Sequence, residues 1–164
     1  MPTQNPIRPT DDEARALART LVDGATFAAL AVISPETQGP TVTRIGFGTG
    51  THGLPVTLIS SLSAHTRALQ ANPACSLLIG EPGDKGDPLT HPRLTLDATA
   101  AFVSRGTPAH DALKSRWLTR HSKSRLYVDF ADFGFVRFTP RAGFLNGGFG
   151  KAYRLAPHDL ARPA

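Results

Sequence analysis

The sequence predicts an α+β fold that is mainly β, with short helices at the periphery. Three observations carry this. Thr41–Thr49 and Arg93–Val103 alternate with a period of two, as strands buried on one face do. Pro55–Gly80 reads as strand, serine-rich turn, short helix and strand. Residues 10–24 carry the spacing of one amphipathic helix between a capping signal and a glycine.

In chain order, residues 1–9 are proline-rich and are expected to form a flexible N-terminal segment, with a single domain over residues 10–164. Thr10-Asp11-Asp12-Glu13 fits a capping box with Thr10 at the N-cap, and Ala14, Leu17, Ala18 and Leu21 recur at helical spacing up to Gly24. Thr26–Ile33 is a strand of small and β-branched residues, closed by Ser34-Pro35. In Thr41–Thr49, Thr43, Ile45 and Phe47 share one face, and Val42, Arg44, Gly46 and Gly48 share the other. Glycine in a strand marks close approach of a ligand or another backbone. Arg44 therefore reads as a cation at the edge of an open shelf, or as an ordinary exposed strand arginine. Gly50–Gly53 is a hairpin turn, and Glu81–His91 is a polar loop whose His, Asp and Glu match no metal-ligand spacing, so no metal site is expected. Thr107-Pro108 starts a helix with proline in its first turn, and Trp117 on that helix is read as core. Arg120–Arg125 is a basic loop, Leu126, Tyr127, Phe130 and Phe133 form an aromatic and apolar patch on a short helix, and Phe135–Thr139 is a further strand. Asn146-Gly147 signals a tight turn in the tail.

The chemistry converges on the turn after Ile59. A helix N-terminus presents free N–H groups and a partial positive charge, which suits an anion. Around it stand the hydroxyls of Ser60, Ser61, Ser63 and Thr66, with His65 and Arg67 in the first turn. Hydroxyls with a guanidinium suit a phosphate monoester. The same residues also serve as a plain N-cap beside a solvated arginine.

This segment, from the apolar strand through Ser-Ser-Leu-Ser-x-His-Thr to Asn-Pro-x-x-Ser-Leu-Leu, resembles the flavin phosphate loop of the pyridoxamine 5′-phosphate oxidase-like split barrels. The Gly-Asp-Pro…His-Pro-Arg-Leu-Thr-Leu stretch at Gly86–Leu96, the aromatic stretch at Tyr127–Phe133 and Gly147–Gly150 are most similar to its HugZ-type haem-utilisation branch. The resemblance runs from about Ala25 to Tyr153. It implies a six-stranded antiparallel Greek-key split barrel and an FMN-binding oxidoreductase working as a homodimer. It implies FMN contacts from Arg44, Ser60, Ser61, His65, Thr66 and Arg67, with Lys151 where the oxidases carry arginine. The oxidases' histidine is replaced by Tyr153, which argues against pyridoxamine phosphate as substrate. Two other outcomes stand beside FMN. One is a haem-binding or haem-degrading protein, whose HugZ-type relatives use a C-terminal histidine, here only His158. The other is a flavin-binding module without turnover. No catalytic acid, base or nucleophile is assigned.

Composition bounds the rest. The chain has 164 residues and a hydrophobic share of 40%, enough for one domain with a real core. Its net charge is +5 and its pI about 10.0, yet the basic residues are scattered apart from Arg116, Arg120, Lys123 and Arg125, so no nucleic-acid partner is expected. No apolar run reaches membrane-span length and the N-terminus lacks a signal-peptide core, so a cytoplasmic location is expected. The lone Cys75 sits in an apolar run and reads as an inert buried thiol.

Overall fold

The computed structural model describes residues 5–162. Helix α1 spans Asp12–Gly24, and its cap differs by one residue from the capping-box reading. Asp11 accepts from the Ala14 amide at 2.8 Å, while the Thr10 hydroxyl donates to the Arg154 carbonyl and ties the helix start to the sheet. Strand β1, Ile7–Arg8, runs parallel to β9, Ala152–Leu155. These two residues belong to the segment expected to be flexible, and here they pair with the sheet; Met1–Gln4 lie outside the described residues.

Six longer strands form the body: β2 (Phe27–Ile33), β3 (Pro40–Gly46), β5 (Pro55–Ser60), β6 (Ala74–Ile79), β7 (Arg93–Phe102) and β8 (Phe133–Asn146). Short strands β1, β4 (Gly48–Thr49) and β9 bring the sheet to nine. Neighbours run β1-β9-β8-β7-β6-β2-β3, and β5 adds to β8. Because β4 continues from β3 and pairs with β5, the sheet curls back on itself. Between β3 and β5 the Thr57 hydroxyl reaches the Gly46 carbonyl at 2.6 Å, across the split of the barrel. Strand β8 is far longer than the Phe135–Thr139 expected, because it pairs with β5 near its start, with β9 at its end and with β7 along most of its length. Pro140 lies on it where the register shifts opposite Asp97 and Ala98, so the ladder tolerates the missing N–H.

Two cores result. The barrel interior holds Leu30, Phe47, Leu77, Leu94, Leu96 and Phe138, sealed by Ala14, Ala18 and Val22 of α1 and by Ala68 and Leu69 of α2 (Ala64–Ala71). A second cluster lies beneath α3 (Pro108–Arg120), where Leu113 and Trp117 meet Val56, Leu58, Val128 and Phe135. Thr107 caps α3 by accepting from the His110 amide at 3.2 Å, as the sequence predicts. Of the aromatic patch, Tyr127 and Phe133 pack at 4.7 Å, whereas Leu126, which ends a short helical turn at Ser122–Leu126, and Phe130 stand exposed. A last short helix, α4, covers Pro157–Leu160.

Candidate functional site

The serine turn forms where β5 ends, and most of its polar groups are satisfied within the chain. The Ser60 hydroxyl donates to the Asp132 carboxylate at 2.5 Å and accepts from the Leu62 amide at 3.1 Å. The Ser61 amide donates to the Asp132 carbonyl at 2.7 Å. Thr66 is buried, and its hydroxyl donates to the Ser60 carbonyl at 2.6 Å. Arg67 donates to the Leu62 carbonyl at 2.9 Å. The half-buried His65 turns toward β3, with Nδ1 3.2 Å from the Thr43 hydroxyl and a buried Nε2 that has no partner. Burial holds its pKa below the ordinary histidine value, favouring the neutral ring. Ser61 is exposed, and Ser63 stands at the N-cap without a side-chain cap bond.

Arg44 and Lys151 do not join this turn within one chain. Arg44 follows Thr43 on β3, so the two side chains leave opposite faces of the strand. Thr43 meets His65, while the Arg44 guanidinium lies 5.4 Å from the ring centroid of Phe27. Lys151 follows the far end of β8, whose first residue pairs with Ser60 and whose last pairs with Ala152. Thirteen residue steps separate those ends by up to about 40 Å along the chain. Lys151 instead faces Glu13 at 3.9 Å.

The shelf expected over Gly46 and Gly48 is filled by the chain's own indole. A Cβ built on Gly46 would lie 3.2 Å from Trp117 Cζ2, and one on Gly48 would lie 3.2 Å from Cε3 and Cζ3. The glycines thus admit Trp117, which is 5% exposed, and the reading of Trp117 as core holds. Its Nε1 donates to the Ser124 hydroxyl at 3.0 Å, and its ring stacks on His121 at 4.0 Å.

A phosphate dianion at the serine turn would meet the Asp132 carboxylate beside Ser60, and an isoalloxazine over Gly46 and Gly48 would displace Trp117. Within one chain, then, Ser60, Thr66 and Arg67 bond inside the turn, while Ser61 is exposed and Ser63 makes no side-chain cap bond. Sequence reasoning missed Asp132. It lies 72 residues from Ser60, and only the β5–β8 pairing brings them together.

Two further surfaces carry cations and aromatic rings. The outer face of β3, β2 and β6 is open: Val42 is 65% exposed, Leu78 45%, and Phe27 and Ile33 38% each, around the small side chains Ala29 and Ala31. Where β8 meets β9, a cleft of about 390 Å³ is lined by Arg141, Phe144, Arg154 and Pro157, among others. There the Arg154 guanidinium stands 5.3 Å from the Phe144 ring centroid, and Arg141 Nε donates to the Thr99 hydroxyl at 2.9 Å. His158, next to Pro157, is exposed. Asp159 at its floor is neutralised by Arg15 at 2.6 Å. Among the described residues there is no cluster of three or more metal-ligating side chains and no helix long and apolar enough to cross a membrane.

A family model described as CREG, beta-barrel matches residues 9–160. The chain is 38% identical over 125 residues to the chloroplastic haem oxygenase HOZ of Arabidopsis thaliana, covering 75% of this chain but only 37% of that protein. It is 30% identical over 137 residues to haem oxygenase HutZ of Vibrio cholerae, covering 80% of this chain and 76% of HutZ. A solved structure of a haem binding protein from Mycobacterium smegmatis superposes with a TM-score of 0.81 at 25% identity, over 94% of this chain and 61% of that one.

Proposed function

Since the chain belongs to the CREG β-barrel family, among the pyridoxamine phosphate oxidase-like split barrels, we propose that it handles haem, as a haem-binding or haem-degrading protein. The observation that carries this reading is the likeness to two proteins named haem oxygenases, each covering at least 75% of this chain. Haem is a flat apolar ring bearing two carboxylates. The cleft at β8–β9 supplies matching chemistry: Phe144 for the ring edge, and Arg141 and Arg154 for the propionates. Of the six histidines, His65, His91 and His121 make side-chain hydrogen bonds and His110 is buried. His158 is the exposed imidazole beside this cleft and is the proposed iron ligand.

A cleft of about 390 Å³ covers only part of such a ligand. A second copy of the chain is proposed to complete it, covering the apolar sheet face around Val42 and Leu78 as well. A visible spectrum of the purified protein and a haemin titration test the proposal. A Soret band that titrates to saturation and is lost in His158→Ala, but kept in His52→Ala, is the expected result. Two flavin bands without a Soret band would restore FMN as the ligand and overturn the haem reading. Analytical sedimentation tests the second copy: haem travelling with a stable monomer would refute the shared site.

A further inference from the structure

The basic residues near Arg116–Arg125 have no part in the haem reading, and the fold gathers two of them with a third. A cleft of about 480 Å³ opens between the end of α1, β4 and the last turns of α3. Arg116, Arg120 and Arg162 line it, opposed by the single carboxylate of Asp23. Arg116 is anchored by Nε to the Thr49 carbonyl at 2.6 Å and by Nη2 to the Thr49 hydroxyl at 3.3 Å. Arg120 reaches the carbonyls of Asp23 and Gly24, and Arg162 pairs with the Asp23 carboxylate.

Anchoring to carbonyls fixes a guanidinium without neutralising it. Three cations against one carboxylate leave two positive charges in the cleft. The C-termini of α1 and α3 both end here, and each offsets roughly half a charge. About one uncompensated positive charge therefore remains, on forks already held in place and with N–H donors to spare.

We infer that this cleft binds a small phosphate-bearing anion, held by Arg116 and Arg120, with Arg162 recruited from Asp23. The volume lies in the range of small-molecule sites rather than of a macromolecular surface. The inference is independent of haem and is tested on the haem-free protein.

Trp117 lines the cleft and is the chain's single tryptophan, so its fluorescence reports on this site. The experiment titrates inorganic phosphate and pyrophosphate at constant ionic strength, with sodium chloride as the matched control. Saturable change with both phosphates and none with chloride is expected, tighter for pyrophosphate. Arg116→Gln combined with Arg120→Gln should weaken binding about tenfold or more. Asp23→Asn removes the competing carboxylate and should tighten binding several-fold, so the test stands even where the double variant fails to fold. A response equal to that of chloride, or weaker binding in Asp23→Asn, overturns the inference. Vesicles carrying phosphatidic acid form a last arm: binding to them that free pyrophosphate fails to displace would point to a lipid surface and overturn the small-molecule assignment.

Discussion

Gly48→Ala tests the packing that replaces the expected shelf. The new methyl would sit 3.2 Å from Trp117 Cε3 and Cζ3, against a favourable carbon–carbon separation of about 3.5 to 4.0 Å. The indole has little freedom to retreat. It is bonded to Ser124, stacked on His121 and set edge-on to Phe135 at 5.9 Å. Gly48 has no positive φ, so the backbone accepts alanine and the cost is steric. Overpacking of this kind costs about 1 to 3 kcal/mol, offset by about 0.4 to 1 kcal/mol from a stiffer unfolded chain. A net loss of about 1 to 2 kcal/mol is expected from urea unfolding, a fall in Tm of roughly 2 to 8 °C. Trp117→Leu alone should cost more through the cavity it leaves, but in that background Gly48→Ala should be neutral or stabilising. A double-mutant cycle measures the coupling directly. Equal costs of Gly48→Ala in both backgrounds would refute the argument that these glycines exist to admit the indole.

Two pH-linked predictions accompany it. Burial pushes the Asp159 carboxyl up, but the Arg15 guanidinium and the Ala156 N–H outweigh it and hold the group below its ordinary value. Its contribution is then present above the unfolded pKa of about 3.9 and is lost as pH falls through the lower folded value. Urea midpoints of wild type and Asp159→Asn should differ at pH 7 and converge toward pH 3; a constant gap would contradict this. His65 is held below its ordinary value by burial, so the unfolded chain binds its proton first. Stability should therefore drop as pH falls below about 6.5. Thermal melts of His65→Gln should show a shallower loss between pH 7 and pH 5, and an unchanged slope would exclude His65 as the source.

Much of the fold was legible because its signals are local. The period-two runs at Thr41–Thr49 and Arg93–Val103 and the Thr107-Pro108 start each act within a few residues. The short strand at Ile7–Arg8 was not legible. It exists only by pairing with Ala152 and Tyr153, and two residues carry no periodicity. The full length of β8 was hidden for a related reason: β7 carries the ladder through Pro140 and Gly143, and β9 joins from Gly143 onward, partners that no local signal announces.

The site divides along the same line, and the reason is electrostatic. A serine-rich helix start has one set of donors that either a ligand or the protein itself satisfies, and the local sequence is the same in both cases. Here Asp132, brought beside Ser60 by the β5–β8 register, accepts from the Ser60 hydroxyl. Its carboxylate takes one hydroxyl donor of the turn and adds a negative charge that an anion there would meet. Two of the cations that the sequence grouped with that turn go elsewhere, while Arg67 stays on it, bonded to the Leu62 carbonyl. Arg44 lies over Phe27 on the opposite face of β3, and Lys151 faces Glu13 beyond the far end of β8. By contrast, Arg116 and Arg120, which the sequence groups with Lys123 and Arg125, converge with Arg162, because α1, β4 and α3 end at one corner. A paired test follows from this asymmetry. Asp132→Asn should remove the repulsion at the serine turn and raise its affinity for inorganic phosphate, without altering the Trp117 fluorescence titration at the α1–α3 cleft. A shift in that titration on changing Asp132 would show the two sites to be one electrostatic unit, against the separation argued from the fold.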